Sequence, residues 1–186
     1  MDFSVREASI TELPSQSDRC IDSAPKCESF PIPPTVIVGL GNEIAGDDGV
    51  GIWVAQKLEE LLQDHPEVQV VSLPWAGFAL LDEMVGRHRA AIVDCLCTEL
   101  YPPGTIVRLS ENDFRGSVRL NSFHDINFAT VLELGRKMGW PLPEKIAIWG
   151  IEGAVLNEFK QELSPVVQAA SEQVIHEVER WLKSLD

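Results

Sequence analysis

The sequence predicts an α/β fold: a single three-layer domain, built as a mostly parallel twisted sheet of about five strands with helices on both faces. Three observations predict it. Apolar runs of strand length alternate with segments of helical periodicity, an ordering that gives parallel strands joined by crossover helices. The β-branched run Val36-Ile37-Val38 meets Gly39 and Gly41, after which Ile52, Ala55, Leu58, Leu61 and Leu62 recur at three- and four-residue steps. Arg89 to Asp94, reading RAAIVD, is nearly all apolar, as befits a central strand covered on both faces.

The remaining elements follow in chain order. The first helix is expected over about 47–64. Glu67 to Leu73 (EVQVVSL) reads as the second strand and Pro74-Trp75-Ala76-Gly77 as a loop. Phe78 to Val85 carries Leu80, Leu81 and Met84 at helical steps. Asp94 is expected to end the third strand. Pro102-Pro103-Gly104 is a turn before a fourth strand, Thr105 to Leu109. A helix is predicted over about 124–138, with Ile126, Ala129, Leu132 and Leu134 inward. Pro141 and Pro143 break it, and Lys145 to Trp149 is the fifth strand. The last helix, about 164–185, has Pro165 at its first position, where a missing N–H costs nothing. Val167, Ala170, Val174, Val178, Trp181 and Leu182 line one face of it.

A length of 186 residues fits one domain. Residues 1–34 hold five prolines and six serines with few large apolar residues. They read as a poorly ordered N-terminal extension ahead of a domain at 35–186. The formal net charge is −14, which disfavours nucleic acid and anionic membranes and suits a basic protein or a cation. The start, MDFSVREAS, lacks a basic n-region and an apolar h-region. No apolar run approaches membrane-spanning length, so a cytoplasmic location is expected.

Cys20, Cys27, Cys95 and Cys97 do not suggest a disulfide framework, because a chain of this length has its own core. Strand alternation would put the Cys95 and Cys97 thiols on one face. A soft metal site or redox pair is conceivable there, and two small buried residues is the favoured reading.

The stretch Val36 to Gly51, VIVGLGNEIAGDDGVG, carries the chemistry. Gly41, four residues and Gly46 have P-loop spacing, but Asp47-Asp48 replace the Lys-Ser/Thr pair. Ile44 stands where a dinucleotide fingerprint needs its third glycine. Two aspartates at a helix start satisfy the field that would draw a phosphate and repel the phosphate itself. Asp47 reads as an N-cap and Asp48 as a metal-binding or catalytic acid. In parallel sheets the ligand crevice lies beyond the carboxyl ends of the strands, where strand order reverses. Asp48 past the first strand, Asp94 at the end of the third and His124 opening a later helix can meet there. Two carboxylates and an imidazole suit nickel, zinc or copper and leave positions open for water or substrate. His65, His88 and His176 read as exposed or structural, and Trp53, Trp149 and Trp181 as core. Trp75, in a loop near the crevice, is a candidate for recognition. No HExxH and no G-x-S-x-G occurs, and neither Cys95 nor Cys97 has an evident activating partner.

Gly39-Leu-Gly41-Asn42, four residues, then Asp47-Asp48-Gly49-Val-Gly51 resembles the signature of the nickel-iron hydrogenase maturation endopeptidases. The similarity runs from about Val36 to the C-terminus. In that family the acids and histidine corresponding to Asp48, Asp94 and His124 are taken to bind nickel in the substrate. Relatives often carry a glycine- and threonine-rich loop, linked to substrate choice, where this chain has Pro74-Trp75-Ala76-Gly77. The resemblance implies an endopeptidase that removes the C-terminal extension from the nickel-loaded large-subunit precursor of a hydrogenase. Nickel would be carried by the precursor, with no permanent cofactor, and the protease would be a monomer. The alternatives are a metal-sensing chaperone of hydrogenase assembly that docks without cleaving, and a nucleotide-binding domain.

Overall fold

The computed structural model describes residues 32–111, 128–154 and 159–184. Most of the N-terminal extension, including Cys20 and Cys27, and the predicted start of the third helix, including Ile126 and His124, lie outside them. The strands are β1 (Thr35–Leu40), β2 (Val68–Leu73), β3 (Arg89–Leu96), β4 (Ile106–Leu109) and β5 (Lys145–Glu152). The helices are α1 (Val50–Leu61), α2 (Phe78–Met84), α3 (Phe128–Lys137) and α4 (Pro165–Lys183). One five-stranded sheet has the order β2-β1-β3-β5-β4. β1 pairs in parallel with β2 and β3, β3 in parallel with β5, and β4 antiparallel with β5 at the edge.

The alternation of the strands builds two cores. Val36, Val38 and Leu40 of β1 and Ala90 and Ile92 of β3 pack with Leu80, Leu81 and Met84 of α2 and Phe128, Val131 and Leu132 of α3. Ile37 of β1, and Ala91, Val93 and Cys95 of β3, face the other way, onto Val50, Val54 and Leu58 of α1 and Val167, Val174 and Val178 of α4. Trp149 is fully buried in this second core, with Trp53 and Trp181 packed at its margin. The Trp149 and Trp181 rings meet edge-on with centroids 6.1 Å apart, and the Arg108 guanidinium lies 3.6 Å from the Trp149 centroid.

Backbone contact sets α1 on the sheet. A Cβ at Gly39 would run into the Gly51 carbonyl, and one at Gly51 into the carbonyls of Leu40 and Val93. Both glycines of this pair are therefore needed for α1 to lie directly against β1 and β3.

Four expectations need correction. A 3-10 turn, Asp47–Gly49, precedes the first helix, which begins at Val50 and not at 47. β3 continues two residues past Asp94, because its ladder with β5 runs on to Leu96 opposite Glu152. Cys95 is buried and Cys97 exposed, since the strand stops at Leu96 and its alternation stops with it. On α3 the inward positions are Phe128, Val131, Leu132 and Gly135, while Leu134 is 41% exposed. Positions two apart on a helix cannot share a face, so Leu132 and Leu134 could not both point inward.

Candidate functional site

The chain leaves β1 to form β2 on one side and returns through α2 to form β3 on the other. The carboxyl ends of β1 and β3 are thus the point where strand order reverses, the place where sheets of this kind bind their ligands. Asp48 follows β1. Asp94 lies one residue beyond the last β1–β3 pair, Gly39 with Val93, while β3 still pairs with β5. It therefore sits inside a strand and at the parting of two strands at once. Both acids are buried, Asp94 at 0% and Asp48 at 5% exposure.

The thiol of Cys95 senses this site. Burial pushes it far above the usual thiol range, and the negative charges of Asp94, Asp48 and Asp47 push it further. A thiol held neutral is neither a good nucleophile nor a good metal ligand. Burial also raises the Cys97 thiol, with Glu152 and Glu99 adding to the effect.

The glycine loop holds Asp48 by its main chain. The Asp48 carbonyl accepts from Asn42 N at 3.2 Å, and Asp48 N donates to Ala45 O at 3.4 Å. The Asn42 side chain accepts from Ile44 N at 3.2 Å. A Cβ at Gly41 would strike the Asp48 carbonyl, so the first part of the motif is shaped to bring two stretches of backbone together. On its outer side the loop forms a parallel bridge, Ala45 with Lys160.

Asp47 has a different task from the N-cap expected of it. The N-cap of its 3-10 turn is Gly46, and Asp47 is the first residue inside it. Its Oδ1 accepts from Ser164 N at 2.6 Å, and its Oδ2 accepts from Ala154 N at 2.8 Å and Ser164 Oγ at 2.9 Å. The carboxylate ties the end of β5 and the start of α4 to the loop that carries Asp48. Glu152, which the sequence reading did not single out, does similar work at the end of β5. Its Oε1 accepts from Thr98 N and Glu99 N, both at 2.8 Å, and its Oε2 from Thr98 Oγ1 at 2.7 Å.

His124 lies outside the described residues, so Asp48 and Asp94 are the two expected site residues that the structure describes. Among the described residues no group of three His, Cys, Asp or Glu side chains is arranged to hold a metal ion. His65, His88 and His176 are exposed, the first paired with Glu67 and the last with Glu179. Trp75 is 49% exposed in the loop that leaves β2. Among the described residues no helix is long and apolar enough to cross a membrane.

A family model described as hydrogenase maturation protease matches residues 52–181. The chain belongs to the hydrogenase maturation protease family. The match begins just after the glycine-aspartate motif, so it rests on the rest of the domain. The hydrogenase 2 maturation protease of Escherichia coli is 28% identical over 149 residues, covering 77% of this chain and 87% of that protein. HoxM of Cupriavidus necator, a hydrogenase expression/formation protein, is 28% identical over 154 residues, 78% of this chain and 74% of that protein. The solved structure of the hydrogenase maturating endopeptidase HybD from E. coli superposes with a TM-score of 0.67 at 25% identity, covering 81% of this chain and 92% of that chain. This family member is a hydrolase of the maturation protease type, on the α/β fold that the sequence predicts.

Proposed function

We propose that this protease removes the C-terminal extension from the large-subunit precursor of a nickel-iron hydrogenase after nickel has been inserted. The observation that carries the reading is the pair of buried carboxylates, Asp48 in the turn that follows β1 and Asp94 in β3, at the reversal point of the sheet in a protein of this family. Two buried negative charges near one another favour the approach of a cation. His124 would join them; it precedes α3 by four residues, and α3 packs on the same sheet face as Ala90 and Ile92, the face to which alternation assigns Asp94. Carboxylate and imidazole donors are acceptable to nickel.

In this reading nickel is part of the substrate, held by the precursor's cysteines. Asp48, Asp94 and His124 complete its coordination and so bring the neighbouring peptide bond to a fixed place. A water polarised by the ion then attacks that bond. Asp47 and Glu152 accept hydrogen bonds from the chain around them and act as supports. The reading also includes a cytoplasmic location and a monomeric protease acting on one precursor at a time.

The test is incubation with nickel-loaded and nickel-free precursor, followed by mass spectrometry. The expected outcome is release of the C-terminal peptide from the loaded form only. Equal cleavage of both forms would sink the role of nickel as the recognition mark. A stable complex with no peptide product would assign the chain to the chaperone alternative.

A further inference from the structure

We propose that the cavity beside the Asp48 loop is a subsite for one cationic side chain, arginine or lysine, of the protein that is cleaved. The proposal rests on the protease reading above and adds to it a determinant of sequence preference.

The cavity has a volume of about 240 Å³ and is lined by Glu43, Gly49, Trp53, Gln56, Gln161 and Leu163. It falls below the range of pockets that take a whole small molecule, roughly 300–1,000 Å³, and its size suits a single long side chain. Gly49 is the residue next to Asp48, so the cavity opens immediately beside the candidate site. It is separate from the Asp48–Asp94 pair, since neither of those residues lines it.

Its lining selects a cation. Glu43 is exposed and has no cationic partner among the described residues. The neighbouring lysines are engaged elsewhere: Lys57 Nζ pairs with Glu60 at 2.9 Å and Lys160 Nζ with Glu162 at 3.6 Å. The Gln56 amide donates to Glu43 Oε1, which fixes the carboxylate and leaves the Gln56 carbonyl oxygen as an acceptor. Gln161 offers a second amide oxygen. Trp53 and Leu163 are half-buried against the α1–α4 core and present apolar surface. An alkyl stem lying on Trp53 and Leu163 with its charged head toward Glu43 satisfies every part of this lining. An anion would meet the Glu43 charge, and a purely apolar side chain would leave the carboxylate and two amides facing it. The net charge of −14 also draws basic segments toward the surface.

Kinetics with the full-length protein and nickel-loaded precursor test this. Glu43→Gln should raise KM about tenfold and Glu43→Lys further, with kcat within twofold of wild type, because the contact is equally present in ground and transition states. Glu43 is exposed, so Tm should not move. Replacing the basic residues near the cleavage point of the precursor by glutamine, one at a time, should find one position that reproduces the KM of Glu43→Gln, and the two changes together should cost no more than either alone. Unchanged KM in both Glu43 variants overturns the proposal. Direct binding separates this outcome from failure of the protease reading. Titrating N-acetyl-arginine amide should shift the Trp53 indole N–H signal saturably in the free wild-type protein, but not in Glu43→Gln, and N-acetyl-glutamine amide should leave it in place. A precursor that is never cleaved together with this shift removes the protease reading and keeps a cation site. No shift at Trp53 at millimolar arginine amide removes the site, whatever the precursor does.

Discussion

The buried charges at the two ends of the sheet are opposite in sign. Among the described residues the buried charged side chains are Asp47, Asp48, Asp94, Glu152 and Arg87. The four acids all lie at or beyond the carboxyl ends of the strands. The cation lies at the amino end, where Arg87 Nη1 donates to Pro33 O at 2.8 Å, Nη2 to Gln69 Oε1 at 2.6 Å and Nε to Glu83 O at 3.1 Å. The helices explain the division. In a parallel α/β layer the helix N-termini, with their unpaired N–H groups and positive dipole ends, sit at the carboxyl ends of strands. The helix C-termini and their free carbonyls sit at the other end. Asp47 takes the N–H of Ser164 at the start of α4, and Arg87 takes the Glu83 carbonyl at the end of α2. Burial of a charge is therefore affordable at each end for one sign only. At the carboxyl end this permits a cluster of buried acids, and two of them, Asp48 and Asp94, are the candidates for chemistry.

The sharpest way to break the comparison is to neutralise those two. Asp48→Asn and Asp94→Asn should each lower precursor processing by at least about 100-fold, more than loss of an outer hydrogen-bond partner of a metal ligand. Tm should be nearly unchanged, because asparagine is close to aspartate in size and shape. Asn at 94 retains an Oδ1 to accept from Cys95 N, a bond of 2.9 Å in the native protein. His124→Ala should act alike. A wild-type rate in any variant, read by gel shift of the precursor, takes that residue out of the site.

Asp47 should behave in the opposite way. Asp47→Ala strands the N–H groups of Ala154 and Ser164 and should cost about 3 kcal/mol or more. At about 2–4 °C per kcal/mol, Tm falls by about 6–12 °C. Processing at low temperature should survive in part. Abolished cleavage with an unchanged Tm would make Asp47 a member of the site and end the distinction between the two adjacent acids.

The smallest effect belongs to the amino end. Burial lowers the proton affinity of Arg87, and Glu83 partly offsets this, yet a guanidinium stays charged at any working pH. Arg87→Ala should cost about 1–2 kcal/mol through its lost hydrogen bonds and leave kcat/KM within twofold. A large loss of activity would show that the amino end communicates with the site.

These contrasts also mark how much the sequence discloses. β1, β3 and α4 were legible because their burial repeats with the period of the element, whereas the end of β3 was expected at Asp94, two residues early. The role of Asp47 was not legible, since its partners are 107 and 117 residues away. The same holds for Glu152, which closes on Thr98 across 54 residues. Nothing near either acid in sequence announces the donors it will meet. The Cys95–Cys97 pair shows a second limit: alternation assigns faces correctly only while the strand lasts, and its last residue depends on the partner strand. Leu134 shows a third, because apolar character was given more weight than the three-and-four spacing that Val131 fits.

The contact of Gly39 with Gly51 gives this domain a built-in gauge block. The position of the turn bearing Asp48 relative to β3, which bears Asp94, is set there by peptide groups pressed together, with no side chain between them to be exchanged for a larger or smaller one. A core residue on either sheet face can change in size without touching this contact. The tolerance ends where backbone meets backbone: a single methyl group at 39 or 51 would lift α1 off the strands.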